Sequence, residues 1–398
     1  MNVGDCVIMS KRILYCWELG SGNGHISKIY QAAKSIPKNF NLFLSVKELG
    51  RVPSYFSPIP TKIIQSPLPI ILERVDAFNY SDILYNVGFN NKESLSMLMS
   101  AWISIFDYVK PDLVLLDFAP TASLVAKSMG IKRKFLGTGF EIPPNDDVVY
   151  PSLAPWNSSI TIEYLKERET IRLDVINKSL DILNYPPLES LSELIDKDNT
   201  LLTIPRGLDH YNRNEDWRYV NPARIKDDRN LIKYEWKTNK KKIYFYLSKL
   251  DNRTVDALLR LTEKYEIKGF ARDISKDNIE SINRKHSLLL NDMADLDYVL
   301  PYSDLFICNG GIGSLIRSGY WGIPTLIFPS HSEQRITAHN LASTTAVRCF
   351  DISTNTHMSL VDVIINAMNN TNGSVLQKIV YNNSELDYHE MINHFVIN

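Results

Sequence analysis

Short apolar runs alternate with amphipathic stretches along most of this chain, the pattern left by parallel strands and the helices that connect them. In the first half, residues 13–19 read as a buried strand and 27–36 as its helix. Residues 41–46 and 62–65 read as further strands. Residues 92–109 read as a longer helix, because Leu95, Leu98, Met99, Trp102 and Ile105 recur on one face at helical spacing. Pro111 and Asp112 then start a strand over 113–116 that ends at Asp117, followed by a helix over 121–129 and a strand over 134–136.

The rhythm breaks between about 140 and 190, where Pro143, Pro144, Pro151, Pro155, Pro186 and Pro187 flank a helical piece over 161–183. Such an insertion is the expected place for substrate-contacting loops. A strand over 201–204 returns to the sheet, and the charged stretch 206–240 reads as a connector. The second half restarts with strands over 243–247, 267–271, 287–290, 305–309, 325–328 and 347–350. Helices over 255–265, 314–321 and 333–343 separate them, and helices over 360–368 and 387–395 close the chain. Two doubly wound α/β halves facing a cleft are the simplest architecture. The expected boundaries are 1–215 and 241–375 for the two domains and 216–240 for the linker. The remaining 376–398 is expected to be a C-terminal helix packing back on the first domain.

Composition narrows the class. A length of 398 residues favours two domains of ordinary size, and 44% hydrophobic with 22% charged residues is typical of a globular protein. The formal net charge of -1 supplies no global basic field, so no nucleic-acid partner is expected. Cys6, Cys16, Cys308 and Cys349 are scattered without a C-x-x-C pair. That spacing points to reduced thiols in a cytoplasmic protein, and away from a disulfide framework or zinc site. No segment reaches the ~18 consecutive apolar residues of a membrane helix. Residues 1–10 lack the features of a signal peptide and read as a floppy extension, with Met9 as an alternative start.

Two glycine turns carry the chemistry. Asn309-Gly310-Gly311-Ile312-Gly313-Ser314 closes an apolar strand and opens a helix, followed by Gly322-Ile323-Pro324, Pro329 and Glu333-Gln334. A strand, a glycine turn and a helix start make an anion site, because free backbone N–H groups and the positive helix end converge there. A tight turn without a ligand is the alternative. The other turn is Gly20-Ser21-Gly22-Asn23-Gly24-His25, between the first strand and the first helix. A dinucleotide fingerprint needs glycine or alanine where His25 stands, so a nicotinamide or flavin site is the poorer fit.

The stretch 309–334 resembles the donor-binding signature of GT-B glycosyltransferases related to the UDP-glycosyltransferase (family 1) and MurG-like enzymes. Those carry a His-Gly-Gly-x-Gly-Thr turn, a Gly-Val-Pro and then Asp-Gln after a proline. The Gly24-His25 loop and Pro111-Asp112-Leu113-Val114-Leu115-Leu116-Asp117 resemble the family's first loop and the segment of its aspartate. The resemblance implies a GT-B fold, two Rossmann-like domains facing an interdomain cleft. It makes the first domain the acceptor side and the second the nucleotide-sugar side. It also implies transfer of a sugar from a nucleotide-diphosphate donor to an acceptor hydroxyl, with inversion.

By that resemblance His25 is the general base and Asp117 its carboxylate partner. An imidazole suits proton abstraction at neutral pH, best when a carboxylate holds its other nitrogen. Loop capping by His25 and helix capping by Asp117 are the structural alternative. The implied donor-binding residues are Gly22, Gly24, Asn309, Gly310, Gly311, Gly313, Ser314, Arg317, Glu333 and Gln334. Asn309 stands where the family has its phosphate-contacting histidine, and Ser314 where threonine is commoner. Arg317 replaces a ribose-binding glutamate; a cation in a helix's first turn opposes the dipole and is explained if it meets an anion such as a donor phosphate, with a solvated surface arginine as the alternative. Glu333 and Gln334 match the pair that holds donor sugar hydroxyls, with N-terminal helix capping as the alternative. Ser248 or Lys249 stands where the family has Gly-Ser.

Asp295-Leu296-Asp297 is a D-x-D, yet it lies in the segment leading into the glycine-turn strand and reads as helix-surface acid. Metal-independent chemistry with no cofactor is therefore expected, the co-substrate being a UDP- or dTDP-sugar. The acceptor class is open among small molecules, lipids and polysaccharides, with peripheral membrane contact left open. Phe78, Tyr80, Tyr85, Phe89, Phe140, Tyr150 and Trp156 are equally readable as core or as acceptor-stacking residues. The rival functions are a nucleotide-sugar epimerase or hydrolase of the same fold, and a non-catalytic GT-B-like auxiliary protein.

Overall fold

The computed structural model describes residues 11–398 apart from 61, 70, 72, 146–148, 215, 226–228, 353, 354, 356 and 382–386. The expected N-terminal extension and Met9 lie outside the described residues. The chain forms two compact units. One comprises Met1–Thr203, Arg213–Val220 and Leu386–Asn398, the other Ile204–Asn212 and Asn221–Glu385.

The first unit is built on β1 (Arg12–Trp17), β2 (Asn41–Val46), β3 (Ile63–Gln65), β4 (Leu113–Asp117), β5 (Lys132–Gly137) and β6 (Thr200–Leu202). They lie in the order β3-β2-β1-β4-β5-β6, and every pairing is parallel. Its helices are α1 (Asn23–Ser35), α2 (Tyr80–Leu84), α3 (Lys92–Val109), α4 (Pro120–Ser128) and α5 (Ile162–Ile182). The β1 and β4 runs are apolar on both faces because helices cover both sides of the sheet. Helix α3 shows how local rules set the boundaries. The Asn91 side chain accepts from Ser94 N at its start, and Lys110 ends it in the left-handed region just before Pro111. Its Leu95, Met99, Trp102 and Phe106 are fully buried.

The second unit carries β7 (Lys242–Leu247), β8 (Glu266–Ala271), β9 (Leu305–Cys308), β10 (Thr325–Ile327) and β11 (Val347–Cys349). Their order is β11-β10-β9-β7-β8, again all parallel. Helices α6 (Asn252–Leu261), α7 (Lys276–His286), α8 (Leu296–Val299), α9 (Ile312–Trp321), α10 (Ser332–Ala342), α11 (Leu360–Asn370) and α12 (Gly373–Tyr381) follow. Phe245, Leu258, Leu305, Ile307, Leu326 and Ile364 anchor its core. The chain ends in α13 (Tyr388–Ile397), which packs on α1 within the first unit.

The local reading is corrected at four places. Residues 287–290 form no strand; Leu289 makes only an isolated bridge to Gly269. Helix α7 was not anticipated, because its Ile279 and Ile282 are too sparse an apolar stripe in a polar segment. Helix α12 was also missed, being short; it seats Leu376 and Val380 on α9, where a Cβ on Gly319 would lie 2.4 Å from Val380 Cγ2. The polar stretch 206–240 is not bare connector either. Trp217 and Val220 are buried in the first unit, Leu208 and Ala223 in the second.

Candidate active site

In a doubly wound sheet the crossovers diverge where the strand order reverses, leaving a crevice at the carboxyl ends of the two strands concerned. In the first unit those strands are β1 and β4. The turn after β1 passes through Gly20 and Gly22 at φ 76° and 99°. Glycine tolerates both, and an L side chain is strained there. The turn delivers His25 into the first turn of α1. Asp117, the last residue of β4, is fully buried beneath it.

His25 Nδ1 lies 2.9 Å from Asp117 Oδ1. A carboxylate only accepts, so Nδ1 carries the hydrogen, and in the neutral ring Nε2 then keeps its lone pair. The imidazole is stacked on Trp17, with centroids 5.2 Å apart and planes at 16°, and faces Phe118 at 6.5 Å. A Cβ on Gly20 would come 2.3 Å from Nε2, so the absent side chain is what admits the ring. The loop is tied from two sides: Lys47 Nζ donates to Gly20 O at 2.6 Å, and Leu19 N donates to Phe118 O at 2.9 Å. Phe118 is a non-glycine residue at φ 47°, a strained backbone of the sort that accumulates at functional sites. Gly24 faces open space.

Sequence reasoning found this pair and missed its neighbours. Lys28 Nζ donates to Asp117 Oδ1 at 2.7 Å and to Glu141 Oε1 at 2.9 Å, and Tyr15 donates to Asp117 Oδ2 at 3.3 Å. The available signal for Lys28 was its position three residues after His25, on the same helix face. Glu141 lies just past β5 and carried no motif. Glu18, next after β1, accepts from Thr121 N and Ala122 N at 3.0 and 3.3 Å, capping α4. Its Oε1 makes no hydrogen bond among the described residues. Burial pushes the Glu18 carboxyl up to about 7, against the Thr121 hydroxyl, the amides of Ala122 and Thr121, and Lys47.

In the second unit the order reverses between β7 and β9, and the second glycine turn leaves β9 there. Gly310 has φ 86°, and a Cβ on it would lie 2.6 Å from Ile327 Cγ2. Gly311 caps α9 without any side-chain hydrogen bond, and neither Gly311 nor Gly313 has an atom within 4 Å of where a Cβ would stand. The start of α9, with Ser314 in its first turn, thus presents backbone amides with room before them. Asn309 ties the strand ends together: Ser248 N donates to its Oδ1 at 2.7 Å, and its Nδ2 donates to Phe328 O at 2.8 Å. Gln334 Oε1 accepts from Ser330 N and Oγ at 2.9 and 2.8 Å. Glu333, in the first turn of α10, stands 3.8 Å from Nε2 of the buried His210.

Arg317 meets an anion, and that anion is Asp297. Its Nη1 lies 3.3 Å from both Asp297 oxygens and donates to Ala223 O at 3.1 Å, while Nη2 donates to Ile225 O. A carboxylate and two carbonyls from its own unit take up the guanidinium. Trp321 Nε1 also donates to Asp297, at 3.0 Å, and Asp295 accepts from Asp297 N as the cap of α8. The D-x-D acids therefore hold helices together. Of the acceptor-side aromatics, Tyr80, Phe89, Phe140 and Tyr150 are core, Phe78 and Tyr85 are half-buried, and Trp156 is exposed. Among the described residues no helix is long and apolar enough to cross a membrane, and Cys16, Cys308 and Cys349 are free thiols.

Solved structures superpose on nearly the whole chain. The glycotransferase of kitacinnamycin is 14% identical, with 98% of this chain and 99% of that chain covered and a TM-score of 0.66. The spinosyn rhamnosyltransferase SpnG is 12% identical, covering 98% and 100% with a TM-score of 0.67. SsfS6, a Streptomyces sp. SF2575 glycosyltransferase complexed with thymidine diphosphate, is 13% identical, covering 98% and 100% with a TM-score of 0.62. This chain has the GT-B fold. No protein-family model and no curated protein matches the sequence. In this GT-B chain, both glycine turns leave their sheets at the point where the strand order reverses.

Proposed function

We propose that this GT-B chain is a glycosyltransferase that moves a sugar from a UDP- or dTDP-sugar to a hydroxyl of a small-molecule acceptor, with inversion. The observation that carries the reading is His25 Nδ1 at 2.9 Å from the buried Asp117, which leaves Nε2 as a proton acceptor. His25 Nε2 takes the proton as the acceptor O–H bond breaks. The electron pair left on oxygen forms the new bond to the anomeric carbon, and the carbon–oxygen bond to the diphosphate breaks. Asp117 steadies the imidazolium that results. The leaving diphosphate is stabilised by the start of α9, through the amides of Gly311, Ile312 and Gly313 and the helix dipole, so the reading needs no metal. Glu333 and the free amide hydrogens of Gln334 hold sugar hydroxyls. SpnG complexed with spinosyn aglycone and with thymidine diphosphate supports a small-molecule acceptor and a nucleotide donor by analogy of fold.

The test starts with a thermal-shift panel of UDP, dTDP and GDP and their sugars, followed by transfer assays on the native chain and His25→Ala. The expected result is stabilisation by a nucleotide, and a ~10²–10⁴-fold loss of kcat in His25→Ala with nucleotide affinity within about twofold. Lost affinity with intact turnover would refute the base assignment. Donor consumption without any acceptor would replace the reading with a hydrolase or epimerase. Stabilisation by none of the nucleotides would replace it with an auxiliary protein.

A further inference from the structure

Helix α1 sends two side chains to one oxygen. His25 Nδ1 and, one turn on, Lys28 Nζ lie 2.9 and 2.7 Å from Asp117 Oδ1. The ammonium also reaches Glu141 Oε1 at 2.9 Å. All three members of the lysine network are shielded from water, with side-chain exposures of 11% for Lys28, 0% for Asp117 and 4% for Glu141. The site of Glu141 is built for it. Thr138 N donates to Oε1 at 2.8 Å and Thr138 Oγ1 to Oε2 at 2.9 Å. A Cβ on Gly137, at the end of β5, would stand 2.5 Å from Oε1, so only glycine lets the carboxylate fold back over the strand.

A cation on the dyad carboxylate raises an electrostatic difficulty. Lys28 alone would cancel Asp117, and an imidazolium forming at His25 would face no net negative charge. Glu141 removes the difficulty, because the cluster then carries one net negative charge before His25 takes a proton and none afterwards. We propose that Lys28 and Glu141 form a charge-neutral clamp, a pair of positioning residues that fix Asp117 against His25 without erasing its field. The inference rests on the proposed role of His25 as base.

The ionisation of the clamp agrees with its geometry. Burial pulls the Lys28 ammonium down, but Asp117 and Glu141 outweigh it and hold the group above the ordinary lysine range. Burial pushes Glu141 up, but Lys28 and then His25 outweigh it and hold the carboxyl well below the ordinary range. The remaining titratable neighbours stay neutral. Tyr15 on β1 is raised by burial and then by Asp117, and Tyr388 on α13 is raised by burial, with Lys28 opposing and Asp117 adding to the effect.

The test is a double-mutant cycle in the full chain with Glu141→Gln, Lys28→Met and both together, read by kcat, KM and Tm. Glu141→Gln in the native background lowers kcat at least ~10-fold with KM for donor and acceptor within about twofold. In the Lys28→Met background the same change raises kcat, because it returns the net charge beside His25 to its native value. Tm shows the same reversal: Glu141→Gln lowers it in the native chain and raises it by about 5 °C or more once Lys28 is gone, since two buried carboxylates then stand unopposed. A Glu141→Gln effect of the same sign in both backgrounds, in kcat or in Tm, would overturn the clamp. If the native chain transfers no sugar, the base assignment to His25 fails, and the Tm reversal still decides whether Lys28 and Glu141 are paired.

Discussion

Glu18 couples this site to pH in a direction opposite to that of most carboxylates. Its side chain is fully buried, with one oxygen on the amides that open α4 and the other without a hydrogen bond among the described residues. Burial raises its pKa from an ordinary 4.5 to about 7. Below about 4.5 the carboxyl is neutral in both folded and unfolded chains. Between these values the unfolded chain loses the proton while the folded chain keeps it, so stability falls as pH rises and levels off above about 7. At ~1.4 kcal/mol per pH unit the full effect is about 3 kcal/mol, or roughly 6–12 °C in Tm for a unit of this size.

Glu18→Gln removes the titration and keeps an oxygen for the amides of Thr121 and Ala122. Its NH₂ inherits the unpartnered position, a penalty of about 1–3 kcal/mol that does not vary with pH. The informative quantity is therefore the difference in Tm between native and Glu18→Gln chains across pH 4.5 to 7.5. That difference should move by roughly 6–12 °C in favour of the variant as pH rises. Glu169, which burial also raises to about 7, titrates in both chains and drops out of the difference. Parallel curves would refute the reasoning, and curves that diverge as pH falls would reverse its sign.

Two further predictions concern the second unit. Gly310→Ala forces a left-handed alanine whose Cβ meets Ile327 Cγ2 at 2.6 Å, and should destabilise by about 2–4 kcal/mol in chemical denaturation; a loss under ~0.5 kcal/mol would show that the turn relaxes freely. Arg317→Ala leaves Asp297 to the Trp321 indole and the carbonyls of Ala223 and Ile225 without the guanidinium, and should destabilise by about 1–3 kcal/mol while nucleotide affinity stays within about twofold. An affinity loss of tenfold or more with stability intact would return Arg317 to the phosphate.

The local pattern determined most of the strands and helices, because apolar periodicity and glycine or proline punctuation are properties of neighbouring residues. The boundaries of α3 and the turns after β1 and β9 follow from such signals, and elements that escaped, such as α2, α7 and α12, have thin or short apolar stripes. The pairing of His25 with Asp117, 92 residues apart, was legible from their places at the carboxyl ends of two strands together with the resemblance. Tertiary structure alone decided the rest. A permuted sheet order lays β1 beside β4 and β4 beside β5, which brings Tyr15 and Lys28 to the Asp117 carboxylate from 102 and 89 residues away and Lys28 to Glu141 across 113. It likewise gave Arg317 a carboxylate from its own unit, the charge of Asp297 being readable in the sequence while its direction is not. Ionic partners in a protein interior are chosen by which side chains share a dry space, and that space exists only after the sheets have formed.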